Sequence, residues 1–248
     1  MGRKAAGPVP ARGPPPARGT PRGDAAPLPL LAGDSAPGAV RTLSAFGVFA
    51  CENFLTAGEC AELVAWSQAA GFEEVSHAAT RNAAFRSCGR IQRQSPELAE
   101  GLWRRLAPLL PPDLAGAGRP PRGCNPNIRI YRYARDDAFG KHVDESSAVG
   151  DAVTEATVLV YLNSSDTGPP NKPQTRAADG PPSCAGGATV FHEPAGARVS
   201  FSPRLGAVLF HVHGDRCLEH EGAAVTAGSK FVLRTDVLYD TPPKRRRR

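Results

Sequence analysis

The sequence lacks the features that would place it among membrane-spanning or disulfide-stapled proteins. It contains no uninterrupted run of about 20 apolar residues, the length that a helix needs to cross a bilayer. Its N-terminus has no apolar stretch of the kind found in signal peptides. The six cysteines include no closely spaced pair, so neither a zinc ribbon nor a disulfide framework is indicated. We therefore expect a soluble intracellular protein with reduced thiols and no membrane partner.

Basic charge is scarce in the central part of the chain, although the formal net charge is +6. Residues 1–40 carry five Lys or Arg and two Asp, and residues 241–248 carry five basic residues and no acidic one. The two tails therefore hold a net +8, which leaves residues 41–240 with a net −2. A domain that follows a phosphate backbone keeps its basic excess within itself. We do not expect this central domain to bind nucleic acid.

Both tails differ in composition from the rest of the chain. Residues 1–40 are rich in Pro, Gly, Ala and Arg and have little apolar surface to offset chain entropy, which is typical of disorder. We predict a disordered basic tail there, with an organelle transit peptide as the alternative. The basic tail at residues 241–248 contains the run Lys244 to Arg248, which resembles a nuclear import signal. The predicted location is the cytoplasm or the nucleus, and the predicted domain spans residues 41–240.

Two helices are indicated in the first half of the domain. Thr56 and Glu59 form a capping-box pattern before a segment with apolar residues at helical spacing, and Gly71 is a typical stop. A second helix should begin at Ser95, the cap, with Pro96 in its first turn, and should end before Pro111. Both segments have ordinary core composition, so we assign them to the scaffold.

After Gly123 the pattern changes to short apolar segments separated by turn residues. Strands are predicted over residues 127–133, 156–162, 188–191, 197–201, 206–212 and 230–239. Many short strands separated by turn residues favour a β sandwich or barrel over a parallel sheet. The predicted fold class is α+β, with the N-terminal helices packed outside a β core. Residues 164–187 are too long and polar for a hairpin turn and are interpreted as a loop at the mouth of that core.

His142 and Asp144 are separated by one residue, so an extended backbone points both side chains the same way. Two histidines and one carboxylate on one face of an iron(II) ion leave its other positions open, which is the usual non-haem iron site. A histidine and an aspartate at this spacing are common by chance. The pattern therefore needs a third ligand and a cosubstrate site before it predicts a metal centre.

The third ligand must come from the downstream histidines, which are His192, His211, His213 and His220. His211 and His213 share one face of a predicted strand, and they are the alternative as a metal-binding pair. His220 is favoured because Lys230 follows ten residues later. A cosubstrate with two carboxylates needs such a fixed cation.

The sequence resembles the prolyl 4-hydroxylase-like branch of the iron(II) and 2-oxoglutarate dioxygenases. The resemblance covers most of residues 46–240 and is carried by six segments in the family's order. These are Asn53-Phe54-Leu55 with Glu59-Cys60, Tyr131-Arg132-Tyr133 before His142-Val143-Asp144, Tyr161-Leu162-Asn163, Gly186 to Phe191, Pro203 to Phe210, and His220 to Lys230. Each segment alone is a weak match, and the resemblance rests on the occurrence of all six in the family's order.

The resemblance implies a double-stranded β-helix, or jelly roll, with His142, Asp144 and His220 as the iron ligands. It implies Fe(2+), 2-oxoglutarate and O2 as reactants, with ascorbate as an accessory reductant. The expected reaction hydroxylates a substrate C–H bond while 2-oxoglutarate is decarboxylated to succinate and CO2. Related halogenases carry a small residue in place of the carboxylate ligand, and the presence of Asp144 therefore favours hydroxylation.

The resemblance also implies a binding site for 2-oxoglutarate. Lys230 matches the family's anchor for the far carboxylate, and Tyr133 and Tyr161 match cosubstrate-pocket tyrosines. Arg234 shares a strand face with Lys230, so it is an alternative or additional anchor, or a substrate contact. The branch implies a peptidyl-prolyl substrate. A free amino acid or other small metabolite is the alternative, and a catalytically inactive binding module is a third reading.

Overall fold

The computed structural model of the chain describes residues 26–81, 83–114, 118–165 and 181–241. The predictions for residues 1–25 and 242–248 of the tails, and for residues 166–180 of the loop, lie outside these ranges and stay predictions. Among the described residues, no helix is long and apolar enough to cross a membrane. The six cysteines all lie in the described ranges and form no disulfide.

The two helices begin where their capping residues predicted. Helix α1 covers Ala57–Ala70, and Thr56 and Glu59 exchange the two hydrogen bonds of a capping box, at 3.2 and 2.9 Å. Helix α2 covers Pro96–Leu106, and Ser95 Oγ accepts a bond from the backbone of its first turn at 3.3 Å. A 3-10 turn at Ala107–Leu109 continues α2 toward Pro111. The sequence-based prediction of both helices is confirmed.

The described residues otherwise form strands connected by turns. In chain order the strands are β1 Arg41–Ser44, β2 Val48–Cys51, β3 Glu73–His77, β4 Arg86–Gln94, β5 Pro121–Cys124, β6 Asn127–Tyr133, β7 Phe139–His142, β8 Ala148–Val149, β9 Ala152–Tyr161, β10 Ala185–Gly186, β11 Thr189–His192, β12 Arg198–Phe201, β13 Val208–Val212, β14 Glu219–Gly222, β15 Val225–Ala227 and β16 Lys230–Asp240. The six predicted strands are confirmed, within a few residues at their ends.

The main sheet runs in the order β1-β2-β13-β9-β16-β6-β4-β7-β14-β11-β12, with antiparallel pairing throughout this path. Strands β13 and β14 are far apart in this order. The rings of His211 on β13 and His220 on β14 are nevertheless only 4.5 Å apart, centroid to centroid. The sheet is therefore rolled, so that its two halves face each other, which is the predicted jelly roll.

The roll separates two apolar cores because successive strand residues point to opposite faces. On β16, Phe231 and Leu233 pack outside the roll with helices α1 and α2. Between them, Val232 faces the interior with Tyr131 and Tyr161. The polar residues Lys230 and Arg234 share the interior face of Val232. The helices thus cover one side of the sheet and leave its inner side for a pocket.

Part of the segment assigned to the N-terminal tail packs against the domain. Residues 26–40 contain no helix or strand, yet Leu28 is buried in the outer core. Gly33 donates its N–H to Glu59 at 3.0 Å, and Arg105 donates to the Gly33 carbonyl. Arg105 also pairs with the buried Glu59 carboxylate at 2.7 Å. The packed part of the chain therefore begins before residue 41, because this Leu-containing stretch meets an apolar groove and a buried ion pair.

The strands that were not predicted are short or polar. Strand β4 contains three arginines and two glutamines among its nine residues, and only Cys88, Gly89 and Ile91 in it are buried. Its arginines have different surroundings: Arg90 pairs with Glu73, and Arg86 faces the inner side of the roll. A search for apolar segments does not find such a strand, because its sequence is mostly polar. The strand forms because it pairs with β3 and β6.

Gly206 joins the start of the first helix to the roll. Its carbonyl accepts the Leu55 N–H at 3.0 Å, its φ is +72°, and a Cβ atom there would lie 2.2 Å from the Leu55 carbonyl oxygen. We expect Gly206→Ala to lower the free energy of unfolding by about 1–3 kcal/mol, from strain and collision. The matched control is Gly123→Ala on β5, where a Cβ meets nothing within 4 Å. Thermal unfolding of both variants measures the difference, and equal melting temperatures would contradict it.

Candidate functional site

A narrow cavity of about 50 Å³ opens inside the roll. Both halves of the sheet contribute to its wall, which contains Arg86, Tyr131, Tyr133, Phe139, His142, Asp144, Thr157, Leu159, Thr189, His211, His220, Glu221, Gly222, Lys230, Val232 and Arg234. Six of the seven site residues predicted from the sequence are therefore in one wall. The seventh, Tyr161, is fully buried directly behind it.

The three predicted metal ligands come together at one end of this cavity. His142 ends β7 and lies opposite His220 on β14, and Asp144 follows β7 by two residues. The ligand atoms of the three side chains all lie within 4.8 Å of one another. Nε2 of His142 is 3.8 Å from one Asp144 oxygen, and Nε2 of His220 is 3.7 Å from the other.

Backbone carbonyls orient both imidazoles toward the carboxylate. Nδ1 of His142 lies 2.9 Å from the Gly140 oxygen, and Nδ1 of His220 lies 2.9 Å from the Leu218 oxygen. A carbonyl oxygen only accepts, so each Nδ1 carries the proton and each Nε2 keeps its lone pair. Burial, helped by the charge of His220, lowers the pKa of His142 to about 4. Burial also lowers the pKa of His220, so both rings are neutral at pH 7, as metal ligands must be.

Asp144 is held as an anion by donors from two other strands. Thr157 on β9 donates to one carboxylate oxygen at 2.6 Å, and Arg234 on β16 donates to the other at 3.2 Å. Burial alone would raise the pKa of Asp144, but Arg234 and the nearby imidazoles hold it well below its usual range. Two neutral imidazoles and a fixed carboxylate form the donor set that suits iron(II). The residues therefore fit the metal that the sequence analysis predicted.

The structure separates the roles of the two candidate cations. Arg234 bonds to Asp144 and also to Asp236, at 3.3 Å, so two carboxylates already meet its charge. Lys230 is 5% exposed, and its Nζ donates to the Gly187 carbonyl at 2.8 Å. Among the described residues, no carboxylate pairs with Lys230. This arrangement favours Lys230, over Arg234, as the group that meets an external anion.

Two tyrosine rings lie close to the Lys230 amine. Its Nζ lies 5.4 Å from the ring centroid of Tyr133 and 5.5 Å from that of Tyr161. The Tyr161 hydroxyl is hydrogen-bonded to Thr189 Oγ1 at 2.8 Å. Burial lowers the pKa of Lys230 to about 8. The positive charge of the buried ammonium therefore has little to replace its lost hydration, which favours binding of a carboxylate ligand.

Three residues of the cavity were not assigned a role by the sequence analysis. Thr157 holds Asp144, and no motif marks it. His211 was weighed as one of four candidates for the third ligand and as a pair with His213, and its Nε2 lies 3.6 Å from Asp144 Oδ2. Arg86 on β4 stacks its guanidinium over the rings of Tyr131 and Phe139, at 4.6 and 4.3 Å. Only the alternation of β13, which places His211 on the inner face, was a usable signal.

The sequence matches no family profile and no curated protein. Solved structures are similar in fold. An oxidoreductase of the 2OG-Fe(II) oxygenase family from Burkholderia pseudomallei superposes with a TM-score of 0.52 at 18% identity, covering 79% of this chain and 86% of that one. A prolyl hydroxylase from Trichoplax adhaerens, in complex with a hypoxia inducible factor oxygen degradation domain peptide fragment, has a TM-score of 0.51 at 17% identity, covering 79% and 84%.

A third similar structure is the viral collagen prolyl hydroxylase from Paramecium Bursaria Chlorella virus-1, determined as a 2OG complex. Its TM-score is 0.50 at 16% identity, with 77% of this chain and 96% of that one covered. Identities this low establish a shared fold. They confirm the prediction of a jelly-roll core with helices packed outside.

Metal binding should depend on the groups that hold Asp144. We expect Asp144→Ala to abolish Co(II) binding, and Thr157→Val to weaken it by about 10–100-fold, because the carboxylate loses an orienting donor. The control is His192→Gln, since His192 pairs with Glu221 and is not among the metal-capable groups of the described residues. Titration followed by visible absorption measures the affinity. Unchanged affinity in Asp144→Ala would rule out this centre.

Proposed function

We propose that this chain is an iron(II) and 2-oxoglutarate dependent dioxygenase of the prolyl 4-hydroxylase-like branch. The observation that carries the proposal is one cavity in which His142, Asp144 and His220 converge, and whose wall also contains Lys230, a buried cation with no carboxylate partner among the described residues. The shared fold with oxygenases and prolyl hydroxylases supports it. A zinc hydrolase with the same donor set would not need a buried cation beside its metal.

Iron(II), when bound, supplies the coupling of O2 reduction to 2-oxoglutarate decarboxylation and substrate hydroxylation. The protein's task is to position the reactants. His142, Asp144 and His220 would hold the ion from one side and leave its other side toward the cavity. Arg234 and Thr157 keep Asp144 charged and fixed. No protein acid or base is needed for hydrogen abstraction from carbon, which agrees with an interior whose imidazoles are neutral.

Lys230 is proposed to bind the far carboxylate of 2-oxoglutarate. Its ammonium is buried, lacks an acidic partner among the described residues, and is bordered by Tyr133 and Tyr161. A carboxylate would give the buried ammonium an opposite charge, which the Gly187 carbonyl cannot supply. Ascorbate is proposed as the reductant that keeps the iron in its ferrous state.

A peptidyl-prolyl side chain is the proposed substrate. Two of the similar structures are prolyl hydroxylases, and one of them holds a peptide fragment. A free amino acid or other small metabolite is the second candidate, and Arg86 favours it. Its guanidinium faces the cavity and meets no carboxylate among the described residues, so it is available to a small anionic substrate.

The Lys230 assignment predicts how 2-oxoglutarate affinity changes with pH. The ammonium is the binding form, and burial places its pKa at about 8 in the ligand-free protein. Affinity should be constant below pH 8 and fall about tenfold per unit above it, as the charged fraction falls. Lys230→Arg keeps the charge and should remove this break, whereas Lys230→Met should raise the KM for 2-oxoglutarate at least about tenfold. A pH-independent KM in the wild type would contradict the assignment.

Succinate release tests the proposed reaction itself. With iron(II), ascorbate and 2-oxoglutarate, the protein should form succinate slowly without substrate, and His142→Ala should abolish this. A prolyl peptide should raise the rate and gain the mass of one oxygen atom, while alanine-substituted peptide serves as control. Stimulation by free amino acids or metabolites alone would establish the second candidate. Absence of any succinate in the wild type would leave only a binding module.

A further inference from the structure

Arg86 places a positive charge in the wall of the cavity. It lies at the start of β4, is half-buried, and lines the cavity with its side chain. The titratable groups that interact with it are Tyr131, Tyr133 and Cys88, and each of these is neutral at pH 7. A guanidinium stays charged at any depth, so partial burial does not remove the charge.

The neighbouring arginines have carboxylate partners, and Arg86 differs from them in this respect. Arg90 on the same strand pairs with Glu73 at 3.4 Å, and Arg132 on the adjacent β6 pairs with Glu74. Among the described residues no acidic group meets Arg86, and its buried Nε has no hydrogen-bond partner there. A charge that has lost part of its hydration without gaining an opposite charge is unfavourable. An anion that enters the cavity would relieve this.

Two aromatic rings hold the guanidinium close to the proposed metal ligands. Its Cζ lies 4.6 Å from the centre of the Tyr131 ring and 4.3 Å from that of the Phe139 ring. Phe139 pairs with Arg86 across the ladder and stacks on the His142 ring at 3.7 Å. Contacts with ring faces fix the plane of a guanidinium and leave its N–H edge for acceptors in that plane. A carboxylate bound to this edge would lie at the same end of the cavity as His142.

The cavity wall contains more cations than the cosubstrate can meet. Among the described residues that line it, the cations are Arg86, Lys230 and Arg234. Arg234 is already met by Asp144 and Asp236. 2-Oxoglutarate has two carboxylates, and in the proposed function one meets the metal and the other meets Lys230. The charge of Arg86 is left over, so a further carboxylate would have to enter with the substrate.

We propose that Arg86 binds a carboxylate of the substrate, so that the enzyme selects molecules with an acidic group close to the C–H bond that is hydroxylated. This inference rests on the proposed function and applies to both of its candidate substrates. In a free amino acid, the α-carboxylate would occupy the site. In a peptide, the carboxylate would come from an Asp or Glu beside the hydroxylated residue. The chemistry is the same in both, because a planar carboxylate accepts two parallel bonds from a guanidinium.

Pairs of compounds that differ only in this charge test the proposal. One set consists of free amino acids, proline first, and their amides, and the other consists of capped prolyl peptides with Asp or Asn beside the proline. With iron(II), ascorbate and 2-oxoglutarate, the acids of one set should show a kcat/KM for succinate release at least about tenfold above that of their amides. The set that shows the difference identifies the source of the carboxylate. Calorimetric titration of the same pairs into the metal-free protein measures binding without turnover.

Variants of β4 connect this preference to Arg86. Arg86→Gln should remove the preference for the acid, because its neutral amide does not balance a carboxylate, and Arg86→Lys should retain part of it. The matched control is Arg90→Gln, since Arg90 pairs with Glu73 and is not in the cavity wall. This control should keep the wild-type preference. Melting temperatures check that the variants fold.

Equal behaviour of acid and amide in every pair with the wild type would overturn the inference, and this comparison requires no variant. A KM for 2-oxoglutarate that rises in Arg86→Gln as much as the preference falls would also overturn it, because Arg86 would then belong to the cosubstrate site. Substrate-free succinate release by the wild type reports on the proposed function separately. If that release is present and the preference is absent, only the inference fails. If the release is absent, the proposed function fails, and the calorimetric preference still decides whether Arg86 binds a carboxylate.

Discussion

The burial of one carboxylate organises the interior of the roll. Asp144 is 7% exposed, and an ion at such depth loses several kcal/mol of hydration unless other groups replace the water. Thr157 and Arg234 do so from two neighbouring strands, β9 and β16. Imidazole nitrogens approach the same carboxylate from β7, β13 and β14. Side chains from both halves of the sheet thus converge on one charge.

The two interior cations of β16 illustrate how arginine and lysine differ. Arg234 belongs to a chain of alternating charges, because its partner Asp236 also pairs with Arg129. A guanidinium stays charged at any depth and reaches two carboxylates at once, which suits permanent internal pairing. Lys230 donates to a carbonyl beside two aromatic rings, and burial brings its pKa to about 8. Of the two cations, it is the one whose charge no carboxylate of the described residues meets.

Local sequence signals were enough for the helices and for most of the candidate site. The capping residues located both helix starts, and the spacing of His142 and Asp144 predicted that their side chains point to the same place, as they do at the end of β7. The distance from His220 to Lys230 selected one histidine among four. These signals act within about ten residues, or rest on a resemblance, and so can be read from one sequence.

The remaining features depend on register between strands that are distant in the chain. His211 meets Asp144 only because β13 pairs with β9 and the sheet then rolls over β14. Whether Lys230 or Arg234 was free for an anion depended on cross-strand partners that no spacing reveals. Strand β4 was not predicted because its sequence is mostly polar, and only its pairing with β3 and β6 shows that it is a strand. The packing of residues 26–40 likewise needed the groove between helices that they cover.

A roll of this kind requires little more than strands with alternating inward and outward side chains and turns between them. The same fold is therefore shared with structures that are only 16–18% identical in sequence. The residues of the candidate site occupy a few interior positions on or next to β7, β9, β14 and β16, which the roll places regardless of the loops. Arg86 on the polar strand β4 stacks over Tyr131 and Phe139, and Phe139 in turn covers the His142 ring at 3.7 Å. Because contacts of this kind depend on individual side chains and not on the roll, a shared fold carries very little information on the molecule that the cavity accepts.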